Sequence, residues 1–364
     1  MMETISTSAP ANLKGWGDFS VTKGYPAVAF AIDIFAHAIV ETLVEQKLEI
    51  RLPQLEVPVT QSFSMEVLDQ IYLDFKNRSV DNDSAGLKAY ISKTTDRYGL
   101  SKHILPLATV ASILYKEHDV NVAGKRLGIV SDIPIQADFA SSNATAGAAV
   151  GSLLRADRKT MTKAEEVVPL VRPADMVSHG SEGAGWVDTL PTVDAGMPFY
   201  DPKSGCRQLR VDYPVYLIAG DAGVKPSTRE QVAKFNKKLG TYPDGGKAIL
   251  EEMGNLTTEG AKALERHDLH SAGKAMYDYH AVLQKLCLTS SDVNPHGVDK
   301  IVELTKEIGA FGAKSSGGSG GGKMTILPYP ENMDKLMSAL RDAGFQAKSV
   351  KVTGTGVMQQ LKLK

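Results

Sequence analysis

Two stretches of the chain carry residues suited to holding an anion. Ser141-Ser142 opens a run of small residues, Asn143 to Leu154, that reads as a tightly packed helix. The first amides and the positive end of such a helix face a phosphate favourably, although an ordinary N-cap serine pair gives the same sequence. The second stretch is Gly312-Ala313-Lys314-Ser315-Ser316-Gly317-Gly318-Ser319-Gly320-Gly321-Gly322. It reads either as a flexible linker or as glycines that let backbones approach and present amides to an anion. An apolar helix precedes it and a strand and helix follow at once, which favours the second reading. His179 closes a helix as a substrate contact or as a satisfied structural group. Lys14 reads as a cation for an anionic substrate or as a solvated side chain, and Lys225 with Ser227-Thr228 as the cap of the next helix.

The elements that must position these residues are legible from periodicity. Tyr25 to Ile32 is an apolar run, followed by alternating Ile39, Glu41, Leu43 and Glu45 and then Leu48, Ile50 and Leu52, a pattern of strands joined by turns. Helical spacing covers 65–77, 84–93, Leu105 to Lys116 and Lys163 to Ser178. Gly128 to Ile135 reads as a strand that ends at a loop, and 180–198 as a Gly-rich loop region. In the second half a buried strand at Tyr213 to Ala219 is followed by helical patterns at 226–239, 245–254, 256–265, 269–287 and 295–309. A strand (Met324 to Leu327), a helix (Asn332 to Ala343) and a strand (Ala347 to Val352) close the chain as an α+β ending. No internal repeat is present, and a domain boundary is expected near residue 195.

Composition bounds the function classes. The 364 residues, 43% of them hydrophobic, can build a packed core, and the length suits two domains. With 41 Lys+Arg against 42 Asp+Glu the net charge is −1, so nothing draws the whole surface to nucleic acid or to an anionic membrane. Cys206 and Cys287 alone supply neither a disulfide framework nor a cysteine zinc site. Met1 to Pro10 lacks the basic and apolar regions of a signal peptide, and no apolar run approaches the roughly 20 residues that span a bilayer. A cytoplasmic protein is expected.

Five segments, in order and over nearly the whole chain, resemble the GHMP kinase superfamily, and within it the mevalonate kinases most closely. Ser8-Ala9-Pro10-Ala11-Asn12-Leu13-Lys14-Gly15-Trp16-Gly17-Asp18, continuing to Gly24-Tyr25-Pro26-Ala27-Val28, resembles S-A-P-G-K-V-I-L-F-G-E-H…G-Y-P-A-V. Ile133-Pro134 to Ser141-Ser142-Asn143-Ala144 is similar to I-P-x-G-A-G-L-G-S-S-A-A. Asp175 to Ser181, leading to Asp188, resembles E-x-x-I-H-G-x-P-S-G-x-D with two extra loop residues. Ile218 to Glu230 is similar to A-D-T-G-x-x-x-S-T-K-E. Met276 to His280, Asn294-Pro295 and the 312–322 stretch complete the series against M-x-x-N-H and G-A-K-L-T-G-A-G-G-G-G.

The resemblance implies an α+β, two-domain GHMP kinase fold. Residues 1–195 would form a ribosomal protein S5 domain 2-like, ATP-binding domain, and 196–364 a ferredoxin-like C-terminal domain, with homodimerisation frequent in the family. It implies ATP and Mg²⁺ as cofactors and phosphorylation of the 5-hydroxyl of mevalonate, a step toward isoprenoid precursors. By the same resemblance Ala140, Ser141, Ser142, Asn143 and Ala144, with Gly317, Gly318 and Gly320, would hold the nucleotide, and Ser142 and Asp175 the metal. Asp188 takes the catalytic position. Asp194 is its rival, but the distance from Asp188 to the strand at Met197 to Tyr200 fits the family better. Lys14 would assist catalysis, and Asn12, Lys14, Asp18, His179 and Lys225 would line the substrate.

Two departures mark an atypical member. Asn12 stands where the family has a lysine, with Lys14 two residues on, and Gln136, Asp138 and Ala140 replace glycines of the phosphate loop. Asn12 and Ala140 are reminiscent of the diphosphomevalonate decarboxylase branch. The alternatives are therefore a 5-kinase for a phosphorylated mevalonate, whose extra charge Lys14, Lys23 and Lys225 would offset, a decarboxylase, and a metabolite-binding protein without turnover.

Overall fold

Ile5–Trp16, read above only as a motif, is a twelve-residue strand, β1, in the computed structural model. The structure describes residues 4–78, 85–133, 139–180, 185–224, 228–242, 245–292, 297–318, 320 and 322–362. β1 pairs antiparallel with β2 (Ala27–Thr42), in which a wholly buried run gives way to alternation from Asp33 onward, as the sequence pattern requires. β3 (Leu48–Leu52), β4 (Val59–Phe63), α1 (Met65–Lys76), α2 (Ala85–Tyr98), α3 (Leu105–Glu117), β5 (Lys125–Ser131), α4 (Ser141–Ala156) and α5 (Ala164–His179) follow. Then come α6 (Trp186–Asp194), β6 (Pro198–Asp201) and β7 (Gly205–Gln208). The seven strands form one sheet ordered β4-β3-β5-β2-β6-β7, with β1 on the other edge of β2.

Much of 180–198, expected as loop, is the helix α6. Val187, Leu190 and Val193 recur every three residues and are buried on one side, while Pro191 and the glycines before Trp186 disguise the pattern. Helices α1, α3, α4 and α5 cover the sheet around Ile50, Phe63, Leu68, Val110, Val150 and Val171.

The second half holds β8 (Tyr216–Asp221), α7 (Thr228–Gly240), α8 (Gly245–Glu265), α9 (Leu269–Lys285), α10 (Asp299–Ile308), β9 (Ala310–Ser315), β10 (Lys323–Pro328), α11 (Met333–Asp342) and β11 (Gln346–Lys351). The four strands pair antiparallel in the order β11-β8-β10-β9, the βαββαβ arrangement of a ferredoxin-like domain. The fold is α+β, as expected. α8 is one helix where two were expected, because Met253, Thr257, Ala261 and Leu264 keep a single buried face across the supposed break. The glycine stretch also begins differently. Its first four residues belong to β9, and Gly312 lies so close to Gly273 of α9 that a Cβ on Gly273 would stand 2.0 Å from the Phe311 carbonyl.

A last helix, α12 (Val357–Leu361), returns to pack on α4 and α6. Trp16 and Phe30 of the first sheet share a core with Met253, Ala261, Met276 and Tyr279 of α8 and α9. The chain leaves the first sheet at Gln208 and enters the second at Tyr216. We therefore propose 209–215 as the boundary in place of residue 195.

Candidate active site

Asn12 and Lys14 lie two residues apart on β1, hence on one face of the strand. That face meets the first turn of α6. Lys14 Nζ is 2.5 Å from Asp188 Oδ1, donates to Asn12 Oδ1 at 2.7 Å and to the Val187 carbonyl at 3.3 Å. Asn12 Nδ2 donates to the Asp188 carbonyl at 2.9 Å. Asn12 is buried, whereas the Asp188 side chain is 40% exposed, so the carboxylate is held from behind and open in front.

A second cluster stands where α4 begins. Ala140 enters the helix at φ 55°, a left-handed conformation that favours glycine. Asp175, at 4% side-chain exposure, accepts on Oδ1 from Ser142 Oγ at 2.9 Å and from Asn143 Nδ2 at 2.7 Å, with His179 Nε2 at 3.3 Å. The far end of the Asn143 carboxamide accepts from Thr189 Oγ1 at 2.7 Å. Thr189 is next to Asp188, so a buried chain of hydrogen bonds ties the start of α4 to the Lys14–Asp188 pair. Ser142 and Asp175 are hard oxygen donors, and Mg²⁺ typically takes one or two carboxylates together with substrate phosphates and water. The residues present fit such an ion, although among the described residues no group of three His, Cys, Asp or Glu converges.

The turn after β9 completes the site. The Lys14 amide donates to Ser316 Oγ at 3.2 Å and Thr325 Oγ1 to the Lys14 carbonyl at 3.0 Å, so β9 and β10 are pinned to the strand that carries Lys14. Lys314 and Asp18 form a fully enclosed ion pair, and Lys323 pairs with Asp221. Lys323 also lies over the Phe139 ring at 5.7 Å, and the Phe139 carbonyl accepts the Asn12 amide.

The expected site residues thus divide. Asn12, Lys14 and Asp188 come together, as do Ser142, Asp175 and His179. Ser141 is half-buried in the first turn of α4, and Gly318 and Gly320 lie in the β9–β10 turn. Ala144 is wholly enclosed in the core, Asn143 is 1% exposed with its carboxamide engaged at both ends, and the Gly317 amide donates to Asp18. Asp194 sits at the far end of α6, where Gln208 Nε2 donates to Oδ2 at 2.7 Å. Burial pushes its carboxyl above the usual range, with the Gln208 hydrogen bond opposing. Lys225, Gln136, Asp138 and Asn294-Pro295 lie outside the described residues. Thr189, Lys314 and Lys323 were missed by sequence reasoning. The signal for Lys314 was present in Gly312-Ala313-Lys314, and that for Thr189 only in its adjacency to Asp188.

Residues 261–327 match the family model described as GHMP kinases C terminal. Over 359 residues the chain is 29% identical to a mevalonate kinase of Thermococcus sibiricus, covering 97% of each chain. It is 26% identical to a mevalonate kinase of Pyrococcus furiosus over 347 residues, 93% of each. Among solved structures, the Methanococcus jannaschii mevalonate kinase superposes with a TM-score of 0.73 at 19% identity, covering 96% of this chain and 99% of that one. The L. major mevalonate kinase in complex with R-mevalonate gives 0.71 at 16% identity, covering 98% of both.

Proposed function

Because the chain is a mevalonate kinase-like GHMP kinase, we propose that it transfers the γ-phosphate of ATP to the 5-hydroxyl of mevalonate. The observation that carries this reading is the Lys14–Asp188 pair, joined through Thr189 and Asn143 to the start of α4. Phosphoryl transfer asks a protein mainly to position its reactants and to compensate charge. Asp188, open to solvent on one side, takes the proton of the attacking hydroxyl as its oxygen bonds to phosphorus and the bond to ADP breaks. Lys14 fixes the orientation of that carboxylate and offsets its charge beside an anionic nucleotide.

The amides that open α4 and the remaining amides of the β9–β10 turn hold the phosphates. Ser142 and Asp175 are the residues that would hold Mg²⁺, which when bound neutralises charge on the phosphate oxygens. The substrates are water-soluble, and we propose the cytoplasm as the place of the reaction.

A phosphorylated mevalonate is the second reading, resting on the altered phosphate loop, where Gln136, Asp138 and Ala140 replace glycines. Both readings are tested by ATP consumption with Mg²⁺ and mevalonate, mevalonate 3-phosphate or mevalonate 5-phosphate in parallel, beside Asp188→Asn. Turnover with mevalonate, lost in the variant, is expected. Turnover with a phosphorylated acceptor alone moves the assignment to that compound, CO₂ release moves it to a decarboxylase, and ATP binding without turnover on any acceptor ends the kinase reading.

A further inference from the structure

Asp18 stands in the turn after β1, and its side chain is 1% exposed with both oxygens engaged. Oδ2 pairs with Lys314 Nζ, itself 0% exposed, and Oδ1 accepts the Gly317 amide at 2.6 Å. Its backbone carbonyl accepts the Tyr279 hydroxyl at 2.7 Å, which anchors the Asp18 turn to α9. Burial pushes the Lys314 ammonium below the usual lysine range, and the Asp18 charge opposes that shift.

A pair this enclosed is weak evidence for stability, since desolvating two charges offsets their attraction. What it does specify is geometry. One carboxylate grips the end of β9 through Lys314 and, three residues on, Gly317 at φ +65°, where the chain leaves the strand. The same turn is tied to the catalytic strand by Ser316, whose Oγ accepts the Lys14 amide.

We propose that Asp18 is a positioning residue that sets the Ser316–Gly318 turn, in which the Ser316 amide donates to the Lys323 carbonyl and the Gly317 amide to Asp18, so that the Gly318 amide meets the nucleotide phosphates. The proposal rests on the reading of the chain as an ATP-dependent kinase and deepens it. Asp18 then acts through the turn and touches neither substrate, and Gly317 serves by its conformation, since its own amide is directed at Asp18.

The test compares two double variants, Asp18→Asn/Lys314→Met and Asp18→Ala/Lys314→Met. Both remove the buried charges together, but only the first leaves an oxygen for the Gly317 amide. Each is titrated with a fluorescent ATP analogue and Mg²⁺ without acceptor, and KM for ATP and kcat are measured on the folded fraction judged by circular dichroism. The asparagine variant is expected within about 3-fold of the wild type. The alanine variant is expected to bind about 10-fold more weakly, the scale of one hydrogen bond to a charged group. Its KM for ATP should rise in step, with kcat changing less than KM. A folded alanine variant with wild-type nucleotide affinity overturns the proposal, as does an equal loss in both variants, which is the signature of a merely structural tie. Should the alanine variant not fold, Asp18→Ser/Lys314→Met, too short to span to Gly317, takes its place with the same expectation. The titration needs no acceptor, so failure of every mevalonate species with nucleotide affinity intact would sink the functional reading alone. A wild-type chain without nucleotide affinity overturns both.

Discussion

Lys14 and Asp188 meet at 2.5 Å although Lys14 stands 173 positions before Val187, whose carbonyl also accepts from the Lys14 ammonium. Residues i and i+2 of a strand share a face, so a lysine moved two places along β1 still reaches the carboxylate on α6. Asn12, in the place of the family's lysine, holds the two groups together, its carboxamide accepting from Lys14 and donating to the Asp188 backbone. Despite that departure, an ammonium therefore stands beside the Asp188 carboxylate.

If the pair acts as a unit, Asp188→Asn and Lys14→Met should each lower kcat by about 10²–10⁴-fold, the range for a positioned proton acceptor. The double variant should be little worse than the worse single, since residues that act together are strongly non-additive. Steady-state kcat for the three variants checks this. A Lys14→Met enzyme within twofold of the wild type would remove Lys14 from the mechanism.

Asn12→Lys restores the residue that the resembling kinases carry, yet it should lower kcat rather than raise it. A second ammonium would stand against Lys14, and like charges at about 4 Å repel by several kcal/mol at the effective dielectric of a partly buried site. Asn12→Lys combined with Lys14→Met should recover part of the loss. The comparison of those two kcat values decides it, and a fully active Asn12→Lys single variant would contradict the arrangement.

The Ser142–Asp175 contact predicts a metal phenotype distinct from the Asp188 one. Ser142→Ala removes a hydroxyl from the surface at the start of α4 and should raise the Mg²⁺ concentration for half-maximal activity by about 10-fold, roughly one lost charge-assisted contact. Its Tm should barely move. Asp175→Asn should raise the Mg²⁺ requirement further and also lower Tm, because the buried carboxylate serves Asn143 as well. Mg²⁺ titration of activity beside thermal unfolding separates the two effects, and an unchanged Mg²⁺ requirement in both variants would move the metal elsewhere.

The parts of this architecture written in short-range pattern were legible in the sequence. The buried run and later alternation of β2, the small-residue α4 and the closing strand–helix–strand unit follow from local periodicity. Asp18 was legible only as a motif residue. Its partner Lys314 lies 296 residues away in a segment whose glycines and serines suggest a loop, and nothing local shows that Lys314 is enclosed. Asn143 likewise read as a phosphate contact because its neighbours are Ser141 and Ser142. Its carboxamide is instead directed at Asp175 and Thr189, contacts created only when α4, α5 and α6 pack together. Local spacing identifies which face a residue shares, whereas long-range packing decides whether a polar group meets ligand or protein.

Gly273→Ala should be among the most damaging single-methyl additions in the second domain. The added Cβ would fall within 2.0 Å of the Phe311 carbonyl and 2.7 Å of the Gly312 amide nitrogen, both backbone atoms that cannot rotate away. Overpacking of this kind costs about 1–3 kcal/mol, so urea unfolding should show a reduced midpoint with an unchanged m-value. Helical propensity alone pulls the other way, since alanine outranks glycine in a helix interior by about 1 kcal/mol. A variant more stable than the wild type would mean that α9 does not approach β9 so closely.

Asp194→Asn discriminates the two aspartates of α6 and carries a pH signature. Burial holds the Asp194 carboxyl above its usual range despite the hydrogen bond from Gln208. With the folded pKa above the unfolded one, the native state binds the proton more tightly. Its contribution favours folding below the unfolded value of about 3.9 and is lost as pH rises through the folded pKa. At neutral pH the ionised group is therefore a liability. Asparagine keeps an oxygen for Gln208 without the charge, so Tm should rise at pH 7 and the gain should vanish as pH falls below about 3.9. Because Asp194 lies at the opposite end of α6 from Lys14, kcat should stay within about twofold, well inside the factor of ten that 1.36 kcal/mol of barrier represents. Thermal unfolding at several pH values with kcat at pH 7 checks both halves, and a large loss of kcat would transfer the proton-accepting role from Asp188 to Asp194.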